Sequence, residues 1–510
     1  MSAIWTTRSV IHTGGEASPF AAPGAGTRIG TMSTMKNKRF VVPAVIASVL
    51  ATSAFTLGGA SVSASDTASG HDRPSCTKLS PGQPTESASS SVPTSIATLE
   101  QAYNCIIDNH VDGDDLNTRT LLADAFSGLA AELDSRGLDL ATATMPALTG
   151  KRDEDWDRFS DVYEEVLAEL PDDAELHEAL ASASILAMVE GMHDNHTRWA
   201  PPAEPTTSYS LGITVANPSA YPEVFIRSVQ GAPAADQDLL PGDIITSVNG
   251  LPTHINGKPV EGVIDWLNAP SAEPVELALE RPSTGETWTV TLTPAQSRPG
   301  PGDDVTVTRV ADDIALVTLR AFTDGGTEEM LQEIAELEED GPLEGIVLDV
   351  RQNSGGSVAE VARLLGAFVH DTPYGYVCDA DYAKCTPKMT DDSIELLGLP
   401  LALLTSGQCP SACDAFAAAV QDLDLGVLVG SRTAGVVSGQ SVPYVLDDGS
   451  QMLLPRDRGV GPDGEIINEI GVAPDHYVSP PTAEDLSAGE DRALDTAIDL
   501  LHGEEGALPR

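Results

Sequence analysis

Between residues 304 and 502, short apolar strands alternate with helical segments, and this alternation limits the fold more than any other feature of the chain. Ile314–Leu319, Gly345–Val350, Leu401–Leu404 and Gly426–Gly430 read as strands; Thr327–Glu338, Ser357–Val369 and Ala412–Leu423 read as helices between them. A strand that reaches its neighbour through a helix pairs with it in parallel, so the spacing predicts an α/β domain on a mostly parallel sheet. A hairpin from Val442 to Leu454, turning at Asp447-Asp448-Gly449, follows.

Two further regions precede this one. Thr98–Asn109, Leu116–Arg136, Asp155–Leu170 and Ala174–His193 carry apolar residues at three- and four-residue intervals, the pattern of amphipathic helices, with Asp172 and Asp173 placed to cap the last. From about 207 to 296 the period drops to two, in Ser210–Val215, Val224–Val229, Asp243–Asn249, Val275–Leu279 and Thr287–Leu292, with a short helix at Val260–Leu267. The expected organisation is a leader at 1–64, a Ser/Pro-rich flexible linker at 65–95, a helical domain at 96–205, a β domain at 206–297 and the α/β domain at 298–505.

A chain of 510 residues with 41% hydrophobic and 21% charged residues can bury several cores. Its 28 Lys plus Arg against 77 Asp plus Glu give a formal charge of −49, which repels phosphate backbones and makes nucleic acid an unsuitable partner. Lys36, Lys38 and Arg39 precede the apolar run Phe40–Leu57 and the small residues Gly58–Ala64, the order of a secretory signal with a cleavage site at Val62-Ser63-Ala64. Export to the cell envelope or medium is therefore expected, with no stable membrane span afterwards. In that compartment the even set Cys76, Cys105, Cys378, Cys385, Cys409 and Cys413 reads as disulfides. Neighbour pairing, Cys76 with Cys105 and Cys378 with Cys385, is the simplest scheme; Cys409 and Cys413 could pair, although an i to i+4 bridge is tight.

Two turns of the α/β region carry residues suited to chemistry. From Leu348 to Gly356 an apolar strand runs into a glycine pair and then a helix, an arrangement that aims backbone N–H groups outward at developing negative charge. From Thr405 to Asp414 a second strand ends and Ser411 lands at the mouth of an Ala-rich helix, where the helix field favours an alkoxide. A serine there, taken alone, is more often only a helix cap.

Taken together, Ile346–Gly356, Ser411–Asp422, Val429–Gly435 and Gly471–Asp475 make the chain similar, over roughly residues 96–480, to the carboxy-terminal (tail-specific) processing protease family. The resemblance implies a ClpP/crotonase-like α/β catalytic domain with Ser411 as nucleophile and an oxyanion hole from the N–H of Ala412 and of the Gly355–Gly356 turn, Gly355 preferred. Residues Gly231–Ala235, Leu240–Ile245 and Val248–Gly250 resemble a bacterial PDZ domain, in which Leu211, Gly212 and Ile213 would form the loop that binds a peptide carboxylate. Common members pair the serine with a downstream lysine. This chain has Gly435-Val436 at that place and no lysine after Lys388.

The chain instead resembles the tricorn-like branch with a Ser/His/acid triad, because Asp194-Asn195-His196-Thr197 stands before the PDZ region. His196 is then the general base, since an imidazole titrating near neutrality can take the serine proton and return it to the leaving amine. The third member is expected near Gly471–Asp475: Glu469 first, Asn468 as the alternative at the family's position, Asp414 and Glu465 behind them. His193 and His196 could instead form a metal pair with Asp194, but the set lacks a third ligand and a catalytic Glu. The expectation is a secreted serine endopeptidase acting on protein or peptide substrates, without metal or organic cofactor. The alternative is a catalytically inactive peptide binder that lost its base.

Overall fold

The computed structural model describes residues 73–79, 92–202, 209–216, 221–268, 271–296 and 304–503. The leader and most of the linker lie outside these. Residues 73–79 of that linker are tied down: Thr77–Lys78 pairs with Ser441–Val445, and Cys76 is bonded to Cys105. A composition rich in Ser and Pro hides such local anchoring.

Helices α1 (Ile96–Asn109), α2 (Thr118–Ser135), α3 (Arg152–Glu169) and α4 (Ala174–Glu190) form where the periodicity places them. The Asn117 side chain accepts from Arg119 N–H, and Asp173 accepts from Glu175 and Leu176 N–H, so both helix starts satisfy free donors. Their apolar faces meet in one core containing Leu99, Tyr103, Leu122, Leu129, Phe159, Tyr163, Leu180 and Ile185, all fully buried.

The β region has its own core. Ile213–Val215 pairs antiparallel with Ile226–Val229, and Val275–Arg281 lies antiparallel between Ile244–Val248 and Glu286–Leu292. Val275, Leu277 and Leu279 are buried while Glu276 and Glu280 face out, the period-two pattern of a strand with one wet face. Helix α5 (Glu261–Asn268) adds Val263, Ile264 and Leu267 to this core. The buried Asp243 takes a bidentate ion pair from Arg281 at 2.7 and 2.8 Å, which keeps its charge compensated.

In the α/β domain, Ile314–Leu319, Gly345–Asp349, Leu401–Thr405, Gly426–Gly430 and His476–Tyr477 pair in parallel, in that order. One edge departs from the expected pattern. Val305–Val310 pairs antiparallel with Ile314–Leu319, because the left-handed residues Ala311 and Asp312 turn the chain straight back. Helices α6 (Gly326–Glu339), α7 (Val358–Gly366) and α8 (Ala412–Asp422) connect the strands.

The hairpin is where packing departs from chain order. Ser441–Val445 and Gln451–Pro455 leave the α/β sheet and form a separate one with Thr77–Lys78 and Arg198–Ala200, Trp199 standing opposite Met452. Tyr444, Leu446, Met452, Leu454 and Trp199 all enter the core of the four helices. A boundary at 298 therefore divides the chain but not the packing. Its consequence is positional: the turn just before Arg198 is held by a hairpin that grows from the loop following the strand Gly426–Gly430.

Candidate active site

Ser411 sits between the strand Leu401–Thr405 and α8, with φ 61° and ψ −119°. A side chain in this left-handed region costs roughly 1–3 kcal/mol and persists only where neighbours enforce it. They do so through the backbone. Ser411 N–H donates to Val436 O at 2.8 Å and to Asp414 Oδ2 at 3.0 Å. The fully buried Asp414 carboxylate also accepts from Gly435 N–H at 2.8 Å and Val436 N–H at 2.9 Å, which clips the following loop to the serine turn. Burial raises the Asp414 pKa, and these donors act against the rise. Asp414 is thus a clamp, with its carboxylate engaged by backbone amides.

His196 comes from the turn Asp194–Thr197, where Asp194 Oδ1 accepts from the N–H groups of His196 at 2.7 Å and Thr197 at 3.0 Å. Those donors, with His110 Nε2 at 3.3 Å from Asp194 Oδ2, hold the Asp194 pKa down at about 2 against its burial. His196 Nε2 lies 3.4 Å from Ser411 Oγ, across 215 residues of chain. Its Nδ1 lies 2.8 Å from Asn195 Oδ1. A carboxamide oxygen only accepts, so Nδ1 carries the proton and Nε2 turns its lone pair toward the serine. Ser438 N–H also points at Nδ1, at 3.4 Å; the shorter Asn195 contact decides the tautomer.

The Asn195 amide is itself oriented. Its Nδ2 donates to Asn468 Oδ1 at 2.9 Å and Gly435 O at 3.4 Å, while Asn468 Oδ1 accepts from Val437 N–H at 3.0 Å. The imidazole is thus backed by two uncharged amides in series. Burial, the main influence, lowers the His196 pKa from the ordinary imidazole value; the nearby Asp194 charge acts in the other direction.

Two expectations need correction. Glu469 is exposed, has φ 63°, and contributes its N–H to Gly435 O at 2.7 Å. Its carboxylate has no hydrogen bond to the imidazole among the described residues, because the left-handed turn sends it outward and leaves Asn468 facing in. Glu465 is also elsewhere. It neighbours Asp422 beside a cavity of about 260 Å³, where burial pushes its pKa up to about 7. The second correction concerns Gly355. Its N–H donates to the buried Asn353 side chain at 2.8 Å and so is engaged within its own turn. Gly356, at φ 137°, is the member of the pair whose N–H has no partner among the described residues; the N–H of Ala412 has none either.

Asn195 was missed as a functional residue, standing unremarked inside the Asp194–Thr197 motif. Its signal was adjacency: the amide oxygen of a neighbouring Asn can accept the Nδ1 proton of a candidate base. Leu211 is buried, and Gly212 adopts φ 74° with Gly231 O and Ala232 O so close that no Cβ would fit. Gly212 N–H is taken by Ser210 Oγ at 3.0 Å. Ile213 begins a strand that pairs on one side only among the described residues. From the partner strand Arg227 donates to Gln408 Oε1 at 2.5 Å, and Ser228 Oγ lies 3.4 Å from Gln352 Oε1, so the β domain touches both turns of the site. Among the described residues no cluster of three or more metal-ligating side chains occurs, and no helix is long and apolar enough to cross a membrane.

Residues 313–478 match the model of peptidase family S41, and residues 225–281 match a PDZ domain. The chain is 30% identical over 288 residues to the chloroplastic C-terminal processing peptidase of Tetradesmus obliquus, covering 54% of this chain and 60% of that protein. It is 29% identical over 246 residues to the tail-specific protease of Haemophilus influenzae, covering 46% and 35%. It is 27% identical to carboxyl-terminal-processing peptidase 2 of Arabidopsis thaliana, covering 58% and 59%. The matches thus span less than two thirds of each of these relatives. Among solved structures, a photosystem II D1 C-terminal processing protease aligns with a TM-score of 0.47 at 22% identity, over 78% of this chain and 97% of that one. The α/β domain thus carries a match to peptidase family S41, and a PDZ domain precedes it along the chain.

Proposed function

We propose that the protein is an exported serine endopeptidase that works through Ser411, His196 and an uncharged Asn195–Asn468 pair, with the PDZ domain receiving peptide chain ends. The observation that carries this reading is the 3.4 Å approach of His196 Nε2 to Ser411 Oγ, between residues that only folding can join. Ser411 Oγ attacks the scissile carbonyl as its proton passes to Nε2. The imidazolium then gives that proton to the leaving amine, and a water repeats the cycle on the acyl-enzyme. The oxyanion is met by the N–H groups of Gly356 and Ala412, the second at the positive end of α8.

Asn195 and Asn468 fix the tautomer without adding negative charge, so the imidazolium gains less than it would beside a carboxylate, and the lowered His196 pKa is consistent with that. A peptide end would lie along the unpaired edge of Ile213–Val215 beside α5, its carboxylate at Leu211–Ile213. Export is supported by the Met35–Ala64 pattern and by three disulfides, Cys76–Cys105, Cys378–Cys385 and Cys409–Cys413. The test is cleavage of unstructured proteins and of peptides blocked at either end, with fluorophosphonate labelling mapped by mass spectrometry. Internal cuts together with a label on Ser411 are expected. Peptide binding with neither label nor cleavage at any pH would leave an inactive binder instead.

A further inference from the structure

Cys409 and Cys413 are bonded to each other across Ser411, with Cα atoms 5.1 Å apart and both residues fully buried. The bridge therefore encloses the one residue of the site whose backbone is held in a costly conformation. Its two ends also tie the serine turn to its surroundings. Cys409 O accepts from Ala434 N–H at 3.3 Å, at the start of the loop that Asp414 clips down. Cys413 Sγ lies 3.8 Å from Val350 O, where the strand Gly345–Asp349 runs into the turn that bears Gly356. The N–H of Ala412 lies inside the bridged segment, between Ser411 and Cys413.

From this placement we infer that the Cys409–Cys413 disulfide is a positioning element, holding Ser411 Oγ and the Ala412 N–H in reacting geometry. The inference rests on the proposed peptidase mechanism. A bridge closing so short a loop removes little entropy from the unfolded chain compared with one closing a long loop, so its principal effect is local. Without it, the segment from Pro410 to Ala412 can relax toward ordinary helical dihedrals, which swings Oγ away from His196 Nε2. Hydrogen bonds would still hold both sides of Ser411, its N–H on Val436 O and Asp414 Oδ2 and its carbonyl from Ala415 N–H, but these can lengthen where a covalent bridge cannot.

The Cys378–Cys385 disulfide provides a contrast. It closes the hairpin of Pro373–Cys378 and Cys385–Met389, which belongs to another sheet, and it encloses no residue of the site. The experiment uses the full chain with Cys409→Ala/Cys413→Ala, with Cys409→Val/Cys413→Ala to refill the lost volume, and with Cys378→Ala/Cys385→Ala as control. It reads kcat and KM on a peptide, the rate of fluorophosphonate labelling of Ser411, and thermal unfolding.

Both bridge variants are expected to lose kcat and labelling rate by about 10- to 100-fold, the scale of a displacement near 1 Å, with KM within about twofold of wild type. Cooperative melting should persist, and the hairpin variant should keep wild-type kcat. Retention of kcat within about twofold in either bridge variant overturns the inference, as does a loss that appears only with collapse of cooperative unfolding. An unaltered protein that neither cleaves nor labels at Ser411 instead removes the peptidase reading on which the inference rests.

Discussion

The two halves of the reaction centre are built by opposite means. Ser411 is placed locally: a strand, a tight turn and α8 follow one another within about twenty residues, and the helix axis aims the oxygen. His196 is placed at long range. Its turn is fixed by Arg198–Ala200 pairing with Gln451–Pro455, whose partner strand Ser441–Val445 pairs with Thr77–Lys78. A locally built half tolerates changes elsewhere in the molecule. A half assembled from three distant segments makes the base depend on the helical core.

Several substitutions break or sharpen this contrast. Ser411→Ala and His196→Ala should each lower kcat/KM on a peptide by roughly 10⁴-fold or more, and the double variant should be little worse than either, since the two act as a unit. Asn195→Ala should cost on the order of 10²-fold in kcat with KM nearly unchanged, because the ring loses the partner that fixes its tautomer. Asn195→Asp should restore part of that rate and shift the acid limb of the pH profile upward, as a carboxylate beside Nδ1 stabilises the imidazolium.

Trp199→Ala tests the long-range half alone. The indole is buried in the helical core and donates Nε1–H to Ser450 Oγ at 3.0 Å, so truncation should cost about 3–5 kcal/mol of stability, measured by denaturant unfolding. Turnover should fall more than labelling of the PDZ groove by a fluorescent peptide, because the seam holds the imidazole and not the groove. Glu469→Ala should change kcat by less than about twofold, since its carboxylate faces solvent and only its backbone touches the loop.

What the sequence made legible follows the same division. Helices α1 to α4, the period-two strands and the parallel pairing of the central α/β strands all came from local periodicity, and Ser411 and His196 stood in recognisable motifs. The destination of the hairpin was hidden, because Val442–Leu454 reads the same whether its apolar face meets its own sheet or the helices. The identity of the orienting group was hidden for a related reason. Glu469 and Asn468 are adjacent, and which one faces the imidazole depends on the left-handed backbone at 469 and on an amide contributed by Asn195, 273 residues from Asn468. Gly355 and Gly356 could not be told apart before Asn353 was seen to occupy the first N–H.

The most direct test is the pH dependence of fluorophosphonate labelling of Ser411, which reads the serine and its base without a peptide substrate. Burial lowers the His196 pKa, so the neutral, competent imidazole persists below the ordinary value of about 6.5, and the labelling rate should fall only as pH drops beneath that point. The stability contributed by the neutral ring has the same sign: it is present above 6.5 and lost as pH falls through the lowered value. A single acid limb below about 6.5, absent in His196→Ala, is the predicted result. Labelling that ignores pH across this range, or proceeds at the wild-type rate in His196→Ala, would contradict the pairing of these two residues.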